Sequence, residues 1–367
     1  MIMSKIKPLI NRTIYYSGLV FILREIYFKL FGYQTRFLCF HRVVDNSNYY
    51  YSFLRILGRL NVEEFEKRIK YLMRFYKVVS LDEYYNKIQK CEKIKRTLVL
   101  TFDDGYKCFY KNVFPLLKKY RIPASIFLTT KFIDNNEDMF WYDKLIFLIA
   151  TTKEKYFYCP EILNKQYKLL NYKDKKELYF GLNSFLKGLD DDVKNEMVKK
   201  LFQILKVEEI ELKEKEQMLT WAQIQEMYNS GLVTYGAHTV SHPILTRIPL
   251  KAVENELRSS KERIELELNC KIKSFVYPNG SKNDFDLEIK ELVKKTGYAI
   301  AFTTINNFNT KHDFYEMPRY DIIREPFFMF GLKISGVFDL VDWLKNKKNK
   351  DNLTDLPMAE DKRGFNG

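Results

Sequence analysis

Short apolar runs alternate along the chain with longer stretches in which apolar residues recur at helical spacing. The short runs are typical of buried strands, and the stretches between them are typical of amphipathic helices. The predicted strands are residues 35–43, 76–80, 96–102, 123–130, 232–238, 272–278, 298–304 and 314–322. Strands that alternate with helices predict an α/β domain with a mainly parallel sheet, either open or closed into a barrel.

Helix-capping signals lie between the predicted strands. Residues 80–83 (SLDE) and 220–223 (TWAQ) each begin with a hydroxyl side chain. Three positions later each carries a side chain that can bond back to the first backbone N–H. Gly297 follows a lysine-rich helical stretch, and glycine is expected where a helix ends. These signals support helices between the strands.

Three segments depart from the alternation. Residues from about 131 to 218 are charged, aromatic and lysine-rich with helical periodicity, so we interpret them as a helical insertion. Residues 347–367 are polar and predict a disordered tail, and residues 1–34 form a basic amphipathic segment. The residues between them, 35–346, are predicted to form one domain that carries the insertion.

The N-terminal segment raises the question of membrane contact. Residues 5–31 have a basic start, and Ile14 to Leu23 are apolar or small until Arg24 and Glu25 interrupt them. This stretch is shorter than the ~20 residues of a membrane span, and no small-residue cleavage site of a signal peptide follows it. Two interpretations stay open: an amphipathic helix on the cytoplasmic face of the membrane, or a helix packed on the domain.

Composition narrows the functional classes. The 367 residues are 46% hydrophobic, which is enough for an enzyme-sized core. The formal charge of +14 favours anionic surroundings, but no basic and aromatic recognition motif is present, so we expect no nucleic-acid partner. The five cysteines include no C-x-x-C pair and indicate neither a disulfide framework nor a thiolate metal site. Reduced cysteines fit a cytoplasmic protein.

Two adjacent acids follow the predicted strand 96–102. Asp103 and Asp104 stand where the strand leads into a loop, which is where parallel α/β domains carry catalytic groups. Neighbouring residues of a strand point in different directions, so one acid can bind a cation while the other faces the group that the cation activates. The alternative is a helix N-cap, in which the helix dipole stabilises one acid.

Two of the four histidines lie together at the end of another predicted strand. His238 and His242 have H-x-x-x-H spacing, with Gly236 and Pro243 marking a turn. One carboxylate and two imidazoles leave coordination positions open, which is typical of a catalytic rather than a structural divalent metal. We therefore predict a metal site; satisfied core or surface imidazoles are the alternative.

Together these motifs resemble those of the polysaccharide deacetylases of carbohydrate esterase family 4, also called the NodB-homology domain. The first family motif, T-F-D-D-G, is matched by residues 101–105, and the second, H-[ST]-x-x-H, by residues 238–242. The resemblance covers residues 35–325 outside the insertion and implies a distorted (β/α) barrel with one divalent metal. The implied roles are catalytic base for Asp103 and metal ligand for Asp104, His238 and His242. Zn²⁺ is the expected metal, and Co²⁺, Ni²⁺ or Mn²⁺ could substitute.

One family motif is matched only in part. Residues 272–278 offer Tyr277 and Pro278 but lack the arginine that the family carries near them. The partner that orients Asp103 must then come from elsewhere, and Arg319 and Asp321 are the candidates. The YPNG sequence that begins at Tyr277 resembles the biofilm poly-N-acetylglucosamine deacetylase branch, and a backbone N–H of this loop is expected to bind the oxyanion.

A second family feature, the C-terminal Leu-x-His that supplies the general acid, is absent. In the poly-N-acetylglucosamine branch the corresponding histidine is permuted to the first strand, and here His41 ends that predicted strand. We expect His41 to be the acid; a buried histidine bonded to the backbone is the alternative. The adjacent Arg42 would contact substrate or cap the sheet.

The resemblance implies removal of N-acetyl groups from an amino-sugar glycan in bacterial cell-surface carbohydrate synthesis. The metal would polarise the acetamide carbonyl, Asp103 would take a proton from the attacking water, and His41 would protonate the departing amine. If residues 5–31 contact lipid, a lipid-linked or nascent saccharide on the inner face of the membrane is the expected substrate. A metal-dependent phosphoesterase and a non-catalytic glycan-binding protein are the alternatives.

Overall fold

The computed structural model of the protein describes residues 2–31, 35–45, 49–92, 94–134, 139–208, 218–305 and 313–344. The chain forms two compact units: Gln34–Arg324, and a smaller unit made from its two ends, Met1–Tyr33 and Glu325–Gly367. The sequence predicts one domain over residues 35–346, whereas the structure groups the residues after Arg324 with the N-terminal helices. The predicted disordered tail, residues 347–367, lies outside the described residues.

The elements follow the predicted alternation of strands and helices. The strands are β1 (Arg36–Phe40), β2 (Val43–Val44), β3 (Leu60–Asn61), β4 (Lys77–Val78), β5 (Thr97–Asp104), β6 (Ala124–Leu128), β7 (Tyr156–Cys159), β8 (Leu163–Lys168), β9 (Val233–Ala237), β10 (Ser274–Val276), β11 (Ile300–Thr303), β12 (Met317–Pro318) and β13 (Tyr320–Asp321). The helices are α1 (Ile2–Tyr16), α2 (Leu19–Phe31), α3 (Tyr49–Ile56), α4 (Val62–Phe75), α5 (Leu81–Gln89), α6 (Phe114–Tyr120), α7 (Trp141–Thr151), α8 (Tyr172–Lys187), α9 (Asp191–Ile204), α10 (Trp221–Asn229), α11 (Leu250–Leu268), α12 (Leu287–Lys295) and α13 (Phe327–Ser335).

The main sheet is parallel throughout and nearly closes on itself. Its strand order is β12-β11-β10-β9-β6-β5-β1-β13, and β4 also pairs with β5. The strands at the two ends of this order, β12 and β13, are separated in the chain by Arg319 alone. The chain therefore crosses from one edge of the sheet to the other through a single residue. The predicted barrel of parallel strands is confirmed, and Arg319 lies at its seam.

Strand β5 carries the two acids at its carboxyl end. All of its residues are buried, and it extends through Asp103 and Asp104, which pair in register with Phe127 and Leu128 of β6. Asp104 and Gly105 then have φ of 80° and 92°, so the chain turns sharply out of the strand. A Cβ on Gly105 would lie 3.1 Å from both the Ile133 and Leu128 side chains, so the turn favours glycine.

The capping signals behave differently at the two predicted sites. At α10 the reciprocal bonds between Thr220 and Gln223 are both present. At α5 Ser80 accepts a bond from the Glu83 N–H, but the Glu83 carboxylate pairs with Lys77 at 2.8 Å. The competing cation explains why the second half of that capping box does not form.

The insertion has its own hydrophobic core. Helices α7, α8 and α9 surround buried residues such as Leu148, Leu178, Leu182 and Leu201, and α3 packs against α7 and α8. The predicted helical character is correct for most of the segment, but β7 and β8 form an antiparallel hairpin within it. β7 is the short run YFYC with alternate residues buried, whereas β8 is polar and has no buried residue, so the sequence pattern does not indicate the second strand of the hairpin.

The smaller unit packs α1 and α2 against α13. Its core includes Val20 of α2, Leu332 of α13 and Val337 from the helical residues 337–344. Within the part of the chain that the structure describes, no helix has both the length and the apolar character to cross a bilayer.

Candidate active site

The seam of the barrel holds a buried ion pair. Arg319 donates from Nη1 to Asp103 Oδ1 at 2.7 Å and from Nη2 to Asp103 Oδ2 at 2.8 Å. A further bond of 3.1 Å joins Arg319 Nη1 to Thr101 Oγ1. Burial alone would raise the pKa of Asp103, but the Arg319 charge and hydrogen bonds outweigh it and hold that pKa below its usual value. Asp103 is therefore ionised at neutral pH, and Arg319 rather than Asp321 fixes its orientation.

Asp104 faces the two histidines of the second motif. His238 Nε2 and His242 Nε2 each lie 3.7 Å from Asp104 Oδ1, and the two imidazole rings are 4.7 Å apart. No described residue donates a hydrogen bond to this buried oxygen. Burial, followed by the charge of Asp103, raises the pKa of Asp104 to about 7. A buried carboxylate oxygen without a donor and with two imidazole nitrogens beside it is the arrangement that a cation would satisfy.

The histidines are held in the form that binds metals. His238 Nδ1 lies 2.8 Å from the carbonyl oxygen of Val276, so the tautomer with a proton on Nδ1 leaves the Nε2 lone pair facing Asp104. Burial lowers the pKa of both His238 and His242, which keeps the imidazoles neutral. One carboxylate and two neutral imidazoles fit a catalytic divalent metal with open positions for water and substrate.

Glu256, which was not predicted from the sequence, holds the loop that carries these candidate ligands. Its Oε2 accepts hydrogen bonds from the N–H groups of Val240 and Ser241 at 2.6 and 2.9 Å, and its Oε1 accepts one from Ser241 Oγ at 2.6 Å. Thr239 and His242 both have positive φ, so the loop has an unusual backbone that these bonds stabilise. Glu256 lies on α11, fourteen residues after His242, where its spacing gives no signal.

His41 lies at the end of β1 and lines the same cavity as the candidate metal ligands. Its Nδ1 is buried, and no described residue forms a hydrogen bond with it. The alternative, a buried histidine bonded to the backbone, is therefore not observed at Nδ1. Burial, followed by the Arg59 charge, lowers the pKa of His41 to about 4. Potential ligand atoms of His41, Asp321 and Cys39 lie within 4.8 Å of one another, which places Asp321 beside the imidazole.

The ligands and His41 open into a cavity of about 320 Å³, within the range of small-molecule sites. The insertion forms part of its wall, with Trp141 and Tyr142 from α7 and Tyr179, Asn183 and Lys187 from α8. The three α8 residues are spaced four apart, so they lie on one face of the helix. The cavity is thus built from both the barrel and the insertion.

In the Tyr277 loop, which is expected to supply a backbone N–H to the oxyanion, the available donor is that of Asn279 rather than that of Tyr277. Tyr277 lines the cavity, but its N–H donates to Phe302 O at 3.2 Å and its hydroxyl to Tyr315 O at 3.0 Å. The carbonyl of Pro278 accepts a bond from Gly280 N–H, and Pro278 is not among the residues that line the cavity. Asn279 does line it, has a φ of 61°, and its N–H bonds to no described residue.

Arg42 is buried in an ion pair away from the cavity. Its Nη2 pairs with Asp143 Oδ1, and its Nη1 donates to Tyr50 Oη at 3.1 Å. Tyr106 donates to Asp143 Oδ2 at 2.8 Å, and the Arg42 guanidinium stacks 3.8 Å from the Tyr106 ring centre. This network joins the barrel to the insertion, and the structure places no Arg42 atom on the cavity wall.

The comparison with protein families agrees with this geometry. The chain matches the polysaccharide deacetylase family over residues 90–301, more than half of its length, and it belongs to that family. Among curated relatives, the poly-beta-1,6-N-acetyl-D-glucosamine N-deacetylase of Staphylococcus aureus is 34% identical over 101 residues, 25% of this chain and 35% of that protein. The protein of the same name from Staphylococcus epidermidis is 39% identical over 72 residues, 19% of this chain and 25% of that protein. The matches thus span about a third or less of these relatives.

Solved structures share the fold. The Streptococcus pyogenes deacetylase PplD, in complex with acetate, has a TM-score of 0.52 at 17% identity, covering 79% of this chain and 92% of that chain. IcaB from Ammonifex degensii also has a TM-score of 0.52, at 18% identity, covering 83% of this chain and 97% of that chain. These likenesses confirm the predicted (β/α) barrel fold.

Proposed function

We propose that the protein is a metal-dependent N-deacetylase that acts on an acetylated amino-sugar glycan or lipid-linked saccharide in bacterial cell-surface carbohydrate synthesis. One observation carries the proposal: a single cavity holds the ionised carboxylate of Asp103 and a candidate metal site of three ligands. Asp104, which follows Asp103 in the sequence, is one of those ligands. Zinc is the metal we assign to this ligand set, since it suits one carboxylate and two imidazoles. The names of the Staphylococcus relatives support the substrate class.

The roles of the chain's own residues follow from their positions. A divalent metal held by Asp104, His238 and His242 would supply a Lewis acid that polarises the acetamide carbonyl and acidifies water. Asp103, kept ionised by Arg319, would accept the proton of the attacking water. The Asn279 N–H would donate to the acetamide oxygen as negative charge develops on it.

His41 is the residue we assign to protonate the departing amine. Its pKa of about 4 makes the imidazole neutral at pH 7 in the structure described. Negative charge that develops on the substrate during attack favours imidazolium, because a nearby opposite charge raises a histidine pKa. Asp321 beside it acts in the same direction. His41→Ala should lower turnover strongly, and undiminished turnover would remove His41 from the mechanism.

A two-metal phosphoesterase fits the structure less well. The described residues offer one other group of potential ligands, Cys39, His41 and Asp321. Burial raises the pKa of the Cys39 thiol well above its usual value, and the thiol donates to Asp103 Oδ2 at 3.4 Å. A protonated thiol that is already bonded to the base is a poor second metal site, since metals bind the thiolate.

We also propose that the smaller unit binds the inner face of the membrane. Leu19, Ile22, Ile26 and Leu30 lie along one side of α2, and each is at least 41% exposed. A different side of α2 contributes Val20 to the unit's core. An exposed apolar face on a chain of charge +14 suits an anionic lipid surface. The five free cysteines support a reducing, cytoplasmic location.

Vesicle co-sedimentation tests the membrane proposal. Wild-type protein should sediment with phosphatidylglycerol-containing vesicles, and the double variant Ile22→Glu/Ile26→Glu should stay in the supernatant. Leu266→Glu, at an exposed leucine on α11, is the matched control and should sediment like wild type. Wild-type protein that stays in the supernatant would reject membrane binding.

Acetate release tests the enzymatic proposal. Purified protein supplied with Zn²⁺ is incubated with N-acetylated saccharides, first soluble and then lipid-linked. Release of acetate that a chelator abolishes is the expected result. If neither group of saccharides releases acetate, the non-catalytic glycan-binding alternative would be favoured.

A further inference from the structure

Arg59 brings a positive charge into the cavity. It lines the cavity with His41 and Tyr179, and its charge acts on Asp104 and Asp143, but no carboxylate of the described residues forms an ion pair with it. Its backbone is fixed, since Arg59 N–H donates to Leu54 O at 3.0 Å and the neighbouring Gly58 carbonyl accepts from Arg324 N–H at 2.6 Å. A guanidinium on a rigid turn, facing the cavity without a partner, is suited to binding an anion.

Lys187 adds a second cation on the side of the cavity that α8 forms. Its Nζ donates to the neutral amide oxygen of Asn279. Asp284 is the acid whose charge acts on Lys187, and its carboxylate already accepts bonds from Asn279 Nδ2 and from Ser281 N–H, both at 2.7 Å. The ammonium therefore has a neutral acceptor and retains donors for a ligand, since Lys carries three.

The other cation of the cavity, Arg319, is already paired. Arg319 is neutralised by Asp103, and Asp104 belongs to the metal site. Asp321 lies beside His41. Arg59 and Lys187 are thus the cations that a substrate can meet, and a glycan of plain N-acetylglucosamine has no charge to offer them.

We propose that Arg59 and Lys187 form an anion subsite, and that the substrate is an N-acetylated amino sugar that carries a phosphate or a carboxylate. This inference rests on the proposed deacetylase function and narrows its substrate class. The shared chemistry is an anionic oxygen group that accepts charge-assisted hydrogen bonds from guanidinium and ammonium. The fixed Arg59 side of the cavity then orients the sugar relative to the metal ligands.

Three small substrates test the inference on the metal-loaded enzyme. They are the neutral methyl glycoside of N-acetylglucosamine, N-acetylglucosamine 1-phosphate, and N-acetylmuramic acid, which carries a carboxylate. The measured quantity is the ratio of kcat/KM for each anionic substrate to that for the neutral one. Because Arg59 also acts on His41, a change in kcat common to all substrates cancels in this ratio.

The anion subsite predicts a ratio well above one for at least one anionic substrate, and that substrate identifies phosphate or carboxylate. Arg59→Gln and Lys187→Gln should each lower the ratio about tenfold or more, the usual effect of losing a hydrogen bond to a charged group. Arg74→Gln and Lys173→Gln, at exposed positions of α4 and α8, should leave it unchanged. Equal efficiency on all three substrates, or equal losses on all three in Arg59→Gln, would overturn the inference and leave the deacetylase function standing.

Calorimetry separates failure of the subsite from failure of the enzyme. N-acetylglucosamine 1-phosphate and N-acetylmuramic acid are titrated into wild type and Arg59→Gln. If none of the three sugars releases acetate but one anionic sugar binds wild type and not Arg59→Gln, the subsite stands and the proposed activity fails. If neither anionic sugar binds wild type, the anion subsite is refuted.

Discussion

Arg319 and Asp103 are joined by two parallel hydrogen bonds of 2.7 and 2.8 Å at the seam where the barrel closes. The one residue between β12 and β13 is thus the residue that orients Asp103, the base that we propose. Closure of the barrel and ionisation of the base depend on the same side chain. A guanidinium matches both carboxylate oxygens, whereas an ammonium acts as a point charge.

Arg319→Lys should therefore keep the charge and lose the orientation. We expect kcat to fall on the order of a hundredfold, the cost of misplacing a reacting group by about 1 Å. Metal affinity should stay near the wild-type value, because Arg319 bonds to Asp103 and not to Asp104, the carboxylate of the candidate metal site. Full kcat in Arg319→Lys would show that the second hydrogen bond is not needed.

Glu256 should control metal affinity without touching the metal. Glu256→Gln weakens the bonds that hold the loop between the two histidine ligands, so Zn²⁺ affinity should fall about 10–100-fold. The measurement is competition with a fluorescent chelator. Glu254→Gln, on the same helix and paired with Lys251 and Arg258, should bind Zn²⁺ like wild type. Unchanged affinity in Glu256→Gln would remove it from the metal site.

The buried pair of Arg42 and Asp143 should show strong coupling in stability. Arg42→Met leaves Asp143 buried without its cation, and we expect the free energy of unfolding to fall by about 3–5 kcal/mol. Arg42→Met/Asp143→Leu removes both charges and should be closer to wild type. Urea unfolding of wild type, both single variants and the double variant measures the coupling. Additive losses would contradict a paired role for the two charges.

Acid should weaken the link between α4 and α6. Hydrogen bonds from Lys119 and Tyr120 lower the pKa of Glu66 to about 2. A carboxyl whose pKa is lower in the folded than in the unfolded protein stabilises the fold above about pH 4.5, and this contribution disappears as the pH falls toward 2. Glu66→Gln should lower the melting temperature at pH 6 and have a smaller effect at pH 3. An equal effect at both pH values would exclude the ion pair as its cause.

Candidate site residues at strand ends could be predicted from the sequence more readily than those in loops. Asp103 and His238 could be found because each follows an apolar run that predicts a strand, and parallel strands bring their carboxyl ends together. The choice between Arg319 and Asp321 stayed open because the break between β12 and β13 obscures which side chains point inward. Arg59 gave no signal, since it lies in a turn whose place in the cavity depends on long-range packing.

In the insertion and at the chain ends, too, the sequence predicts the helices but not their long-range contacts. The helical character of the insertion follows from its periodicity, but which face of α8 lines the cavity depends on contacts with α3 and α7. The pairing of α13 with the N-terminal helices joins residues about 300 positions apart, as in the bond from Asn11 to Met329, separated by 318 residues. Local sequence patterns carry no information on such pairings.

The central claim is that one metal and Asp103 together remove an acetyl group. The most direct measurement is acetate release by metal-free protein titrated with Zn²⁺, in wild type and in Asp103→Asn, with Zn²⁺ binding followed in parallel. We expect both proteins to bind one Zn²⁺, wild-type activity to rise with occupancy of that site, and Asp103→Asn to stay inactive when saturated. Acetate release by metal-free wild type, or by saturated Asp103→Asn at the wild-type rate, would contradict it.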